Sequence, residues 1–273
     1  MNLVLLRGGG DLATGVALRL HRAGLRVLIT EIPQPLAVRR LVSFAEAVYR
    51  GEFTVEGVTA RRVNDPAQAQ HILQKGEIPV LIDPEAAVLQ SKLSFCVLVD
   101  ARMTKAPPDL GMEAAPLVIG LGPGFVPGEN CHAAIETQRG HFLGRVLWDR
   151  PPAANTGIPE GLGIYNRQRV LRAPADGVLS ARAAIGDRLW SGQVIAEVGG
   201  QRVRAPFDGV LRGLLHPGLR VQAGTKIGDL DPRNDPSFCT LVSDKALALG
   251  GGVLEAILSR PHVRSQLWEG GSS

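Results

Sequence analysis

The sequence predicts an α/β protein: a mostly parallel sheet, then a second, all-β module. Three observations carry this. Short apolar runs such as Leu3–Leu6, Val27–Thr30 and "FCVLVD" recur at β–α spacing through the first half of the chain. Turn or crossover segments separate them, which implies strands laid side by side in one direction. Beyond residue 168 the pattern changes, and "RAPADGVL" at 172–179 returns as "RAPFDGVL" at 204–211, an offset of 32.

The bulk numbers exclude several function classes. The chain has 273 residues, 45% apolar and 21% charged, ordinary for a soluble globular protein. No apolar run approaches a bilayer span, and "MNLVLLRGGGD" lacks a basic region ahead of a secretory core, so a cytoplasmic protein without membrane contact is expected. The net charge of +4 comes from scattered arginines, and aromatics are 4% of the chain. Nucleic-acid binding is not expected, since stacking platforms are scarce, while a small anionic ligand is compatible. Three cysteines, 96, 131 and 239, without C-x-x-C spacing argue against a disulfide framework or a structural zinc site.

Element by element, Leu3–Leu6 reads as a strand, Gly8–Gly10 as its turn and Leu12 to His21 as a helix, with the next strand ending at Glu31. Gly8-Gly9-Gly10-Asp11-Leu12-Ala13 fits G-x-G-x-x-A, and Glu31 lies about twenty residues on, the spacing of the dinucleotide fingerprint. The first domain, 1–165, is therefore expected to be Rossmann-like. Asp11 is a negative charge where a pyrophosphate would sit; on the alternative reading it complements the helix dipole. Strands follow at 58–63, before Asp65-Pro66 starts a helix, and then up to Asp83, to Asp100 and into the Gly122 loop.

Ligands of such sheets bind beyond the carboxyl ends of the strands. Gly8, Gly9, Gly10, Glu31, Asp83, the stretch from Asp100 to Lys105 and the Gly122–Cys131 loop would share that rim, with Asp109 in the loop after Lys105. Gly122, Gly124 and Asn130 are expected to hold a ligand there. Cys131 beside His132, in a backbone nest, is the candidate nucleophile or soft metal ligand; the alternative is a small residue buried under the loop. His132 and Glu136 share a face in either a helix or a strand and are the candidate acid–base couple, the alternative being a surface cross-strand pair. A strand through Glu136, a turn near Arg139-Gly140 and a return strand Leu143–Trp148 are favoured.

The repeat at 168–233 forms two copies of a short β unit joined at Gly199-Gly200. It resembles the biotinyl/lipoyl barrel-sandwich hybrid module. That module carries its prosthetic group on a hairpin lysine, but the hairpin here reads "EVGGQRVRAP", so neither biotin nor lipoate is expected. Residues 234–262 read as a helical segment, interrupted at Gly250–Gly252, that returns to the first domain; a frayed tail follows.

Together, "RGGGDLATGVALRLHRAGLRVLITE", "VDARMTK", "GLGPGF", "NCHAAIETQRGHFLGR", "NTGIP" and "SDKALALGGGVLEAIL" resemble the YqeB family of the selenium-dependent molybdenum hydroxylase system. The N-terminal part is similar to the Rossmann domain of XdhC-type maturation factors. The resemblance implies an accessory protein that binds or hands over molybdenum cofactor, or its sulfur or selenium ligand, with the hydroxylase as partner. Lys105 and Arg139 would then counter the cofactor's charge and Cys131 would meet the metal. Two other readings stay open: an NAD(P)-dependent oxidoreductase, and a non-catalytic docking scaffold. A homodimer is compatible with each.

Overall fold

The computed structural model describes residues 2–104, 106–154 and 168–268. Lys105, the "NTGIP" stretch and the junction near 165 lie outside the described residues. The chain divides into two compact units, one of residues 1–35, 44–155 and 242–273, the other of 36–43 and 156–241.

The first unit is an α/β assembly. Its elements run β1 (Asn2–Arg7), α1 (Asp11–Arg22), β2 (Val27–Glu31), α2 (Glu46–Arg50), β3 (Glu52–Val55), β4 (Val58–Val63), α3 (Pro66–Gln74) and β5 (Ile78–Ile82). They continue with β6 (Ser94–Asp100), β7 (Leu117–Leu121), β8 (Ala133–Ile135) and β9 (Val146–Leu147). The sheet order is β3-β4-β5-β2-β1-β6-β7-β8-β9. The strands from β4 to β8 are parallel, and β3 and β9 pair antiparallel at the edges. Central strands β1 and β7 are buried at almost every residue, as a sheet covered on both faces requires.

Local chemistry explains the boundaries. Asp65 caps α3, accepting from the Gln68 N–H at 3.1 Å with Pro66 at the first position. Glu56 and Gly57, both at positive φ, turn β3 into β4, a hairpin that the apolar pattern does not reveal. β8 stops at Ile135, one residue short of the expected strand through Glu136, and the return strand shortens to Val146–Leu147.

The C-terminal helices correct two expectations. α4 (Asp244–Leu258) runs unbroken through Gly250–Gly252. Its glycines admit neighbours: a Cβ on Gly250 would lie 2.6 Å from the Gly15 carbonyl of α1, and one on Gly15 would lie 2.5 Å from that of Ala246. Close helix packing explains Gly250, and close approach of the Gly144 carbonyl explains Gly252. The expected frayed tail includes a helix, α5 (Pro261–Trp268), with Val263 buried.

The second unit holds two four-stranded sheets. One copy of the repeat supplies β10 (Val170–Arg172), β11 (Gly177–Ala181), β12 (Arg188–Leu189) and β13 (Val194–Val198). The other supplies β14 (Gln201–Arg204), β15 (Gly209–Leu214), β16 (Arg220–Val221) and β17 (Lys226–Asp231). The orders are β10-β17-β15-β12 and β14-β13-β11-β16. Adding 32 to a strand of the first copy gives its counterpart in the second, and that exchange turns one sheet into the other. Each sheet thus contains two strands of each copy. Gly199 and Gly200, at φ 57° and 79°, make the β13–β14 turn. Among the described residues no helix is long and apolar enough to cross a membrane.

Candidate functional site

The sheet reverses direction of growth at β1, with β2 on one side and β6 on the other. A crevice is expected there, at the carboxyl ends, but it is filled. Gly8, at φ 93°, faces the Arg102 backbone, where a Cβ would come within 3.2 Å of its Cα. Arg7, at the end of β1 and 1% exposed, donates to Asp109 at 2.5 Å and 3.1 Å and to the Pro84 carbonyl at 2.8 Å. Arg102 donates to Asp100 at 2.6 Å and to Asp109 at 2.7 Å. Two guanidinium and two carboxylate groups thus close the switch point with no net charge. The hydrogen bonds from Arg7, then those from Arg102, hold Asp109 well below the usual carboxylate range.

The glycine loop is engaged by its own chain. The Gly9 N–H donates to Glu31 Oε2 at 2.8 Å, and the Gly9 carbonyl accepts from the Ala45 N–H at 2.8 Å. The other Glu31 oxygen accepts from the Ile32 N–H at 2.8 Å. Burial raises the Glu31 pKa against these two bonds. Gly10 begins α1 with open space where a Cβ would stand. Asp11 sits in the first turn with Arg19, His21 and Arg22 in the last, so the charges match the helix dipole.

Among the described residues an open volume lies one strand away, between the loops after β6 and β7. A cavity of about 610 Å³ is walled by Met103, Thr104, Pro107, Pro108, Pro123 and Asn130. Its floor includes Leu121. The Gly122 loop is held in shape by Asn130, which accepts from the Val126 N–H at 2.8 Å and donates to the Gly124 carbonyl at 3.0 Å. Gly122 and Gly124 take φ values of 76° and 99°, so the turn requires glycine at both. Met103, at φ 53°, places a thioether 40% exposed on the cavity rim.

The other expected site residues do not converge on this cavity. Cys131 is fully buried in the core with Phe125 and Ala134, and burial pushes its thiol up to about 12. It is protonated near neutral pH and out of reach of solvent. The expected His132–Glu136 couple is not formed. His132 Nδ1 accepts from the Val118 N–H at 2.9 Å, and burial, then Arg260 and His262, lower its pKa. Glu136, 5% exposed, accepts from the Gln138 N–H at 2.7 Å and the Ala153 N–H at 2.8 Å. Arg139 is bound to Asp244 by two bonds of 2.6 and 2.7 Å, holding the 139 turn to α4. Among the described residues no three His, Cys, Asp or Glu side chains form a metal-holding group.

Met103 and Thr104 lie in the expected Asp100–Lys105 rim and Asp109 in the loop beyond it, while Arg7 is the site residue that motifs do not single out. Arg7 had a signal: a lone charge ending an apolar strand directly before a glycine turn.

The chain is 46% identical over 260 residues to the uncharacterized protein YqeB of Escherichia coli K12, covering 95% of this chain and 48% of that protein. This supports the YqeB family name, and the chain spans about half the length of the curated relative it matches. No protein-family model matches. Among solved structures, an aspartoacylase family protein of Mesorhizobium loti is similar at 11% identity and TM-score 0.25, over 84% of each chain. The ectoine utilization protein EutE of Ruegeria pomeroyi is similar at 12% identity and TM-score 0.27, over 84% of this chain and 86% of that one. Likeness at this level carries no statement about fold or activity.

Proposed function

We propose, from the premise of the YqeB family name, that this chain is an accessory protein of a selenium-dependent molybdenum hydroxylase and holds molybdenum cofactor at the carboxyl edge of its large sheet. On this reading the first unit is Rossmann-like and the second is a barrel-sandwich module without a carrier lysine. The observation that carries the proposal is the cavity between the β6 and β7 loops. Its volume of about 610 Å³ falls in the range of small-molecule sites, roughly 300–1,000 Å³.

The residues present fit the organic part of the cofactor. Pro107, Pro108, Pro123 and Met103 offer flat apolar walls, and Thr104 and Asn130 add polar groups. They do not fit a protein–metal bond, because the Cys131 thiol is buried and protonated. When bound, the cofactor supplies redox-active molybdenum destined for the hydroxylase. The chain's part is to enclose and orient it. A dinucleotide reading has less support, since the Gly9 N–H that would meet a phosphate already binds Glu31.

The test is metal and pterin content after anaerobic purification from cells making an active hydroxylase. Near-stoichiometric molybdenum and pterin are expected in the native chain and in Cys131→Ala, with both lost in Ala106→Trp, which sets an indole in the cavity that Ala106 also lines. Neither element of the cofactor in any of the three proteins overturns the proposal.

A further inference from the structure

The internal repeat of the second unit supplies its own comparison. The exchange that relates the two sheets makes each residue of one the counterpart of a residue in the other. Their outer faces should therefore be used alike, and they are not. On β15, Leu36–Ser43 and the turn 236–239 lie against the strand. A Cβ on Gly213 would stand 2.8 Å from Val38, Arg40 donates to the Leu214 carbonyl at 3.1 Å, and Cys239 Sγ lies 3.7 Å from that of Leu211. Under this cover Val210 is 0% exposed, and Asp229 and Asp231 are buried beside Arg212.

On the counterpart strands nothing among the described residues does the same. Val178, the equivalent of Val210, is 48% exposed. Register places Val178 beside Arg220, and Ser180, Glu197 and Arg202 in one row across β11, β13 and β14. Arg182 reaches the same row through Glu197 at 2.8 Å, and Arg204, on the same side of β14, donates to the Gly192 carbonyl. Four arginines thus stand around an exposed valine against Glu197, and Asp176, two residues before that valine, accepts from the Ala223 N–H at 2.7 Å. Trp190, on the turn next to Gly192, is 71% exposed. Arginine and tryptophan are the side chains that anchor protein interfaces, and a basic face repels its own copy.

We propose that the outer face of the β14-β13-β11-β16 sheet is a docking surface for an extended, acidic segment of a partner protein, laid across the face whose counterpart on β15 is covered by this chain's own residues. A second copy of this chain would set like charges against each other, and the excess of arginine selects carboxylate side chains. Val178 receives the apolar side chains that alternate with them.

The test uses the full chain and a short fluorescein-labelled peptide alternating glutamate with valine, followed by anisotropy at low and physiological salt. Binding should be salt-sensitive and about tenfold or more weaker in Arg202→Glu/Arg220→Glu. It should be unchanged in Lys75→Glu/Lys92→Glu, which alters net charge equally elsewhere. Val178→Glu, a single change at an exposed site, should weaken it as well, so that misfolding of the double variant cannot decide the matter. Equal loss in both double variants, or no binding at low salt, overturns the proposal. Tighter binding of duplex DNA, heparin or anionic vesicles than of the peptide overturns it too.

Discussion

Replacing Asp109 by asparagine should destabilise the protein through Arg7. The guanidinium is 1% exposed and its shortest bond, 2.5 Å, goes to Asp109. Removing one partner of a fully buried pair costs about 3–5 kcal/mol, because the other charge stays buried and uncompensated. Two features reduce that. Asp109 is 44% exposed, so water already screens the pair, and Asp100 remains 3.8 Å from Arg7. A cost of about 2 kcal/mol results, or roughly 4–8 °C in Tm for a chain of this size. The reverse change, Arg7→Met, leaves Asp109 at the surface and fills the strand end with an apolar side chain, so it should cost less. The pH dependence has a definite sign. Asp109 is depressed in the folded state, so its contribution is present above the unfolded carboxylate value of 3.8 and fades as pH falls below it. The difference in Tm between native chain and Asp109→Asn, followed by circular dichroism, should therefore narrow from pH 4 downward. A difference below 1 °C at pH 7, or Arg7→Met proving the worse variant, would refute the reasoning.

Further outcomes follow from the same structure. Gly15→Ala sets a methyl 2.5 Å from the Ala246 carbonyl and should cost about 1–3 kcal/mol by overpacking, read from urea unfolding. All three cysteines are buried, so a thiol reagent at pH 8 should find none in the folded protein and three in urea. Glu31 is raised in the folded state, so its effect opposes that of Asp109. The folded form takes up a proton first as pH falls, and carboxylate-detected NMR should place Glu31 above its ordinary value of 4.5. Asn130→Ala removes both bonds that shape the Gly122 loop, which should cost about 1–2 kcal/mol and weaken whatever the cavity holds.

Much of the fold was legible because its signals are local. The run Leu3–Leu6, the Asp65-Pro66 cap and the 32-residue repeat each report on their own neighbourhood, and all mark observed elements. The site was less legible because its facts are long-range. Gly250–Gly252 reads as a helix break until Gly15 is known to lie against it. Cys131 has a polar sequence context, yet β8 turns it into the core. The His132–Glu136 spacing fits a shared face, but β8 ends at Ile135, and backbone donors from β7 and residue 153 claim the two side chains separately. Glu31 stands at the fingerprint spacing and faces the glycine loop itself. Only the tertiary structure distinguishes a residue that binds a ligand from one that satisfies the loop.

The most direct test of the central claim is hydrogen exchange by mass spectrometry on the chain purified with cofactor and again after the cofactor is stripped. The account predicts slower exchange with cofactor in residues 101–109 and 122–130, and no change in residues 8–13. Protection confined to residues 8–13 and 31–45 would contradict it and return the ligand to the glycine loop after β1.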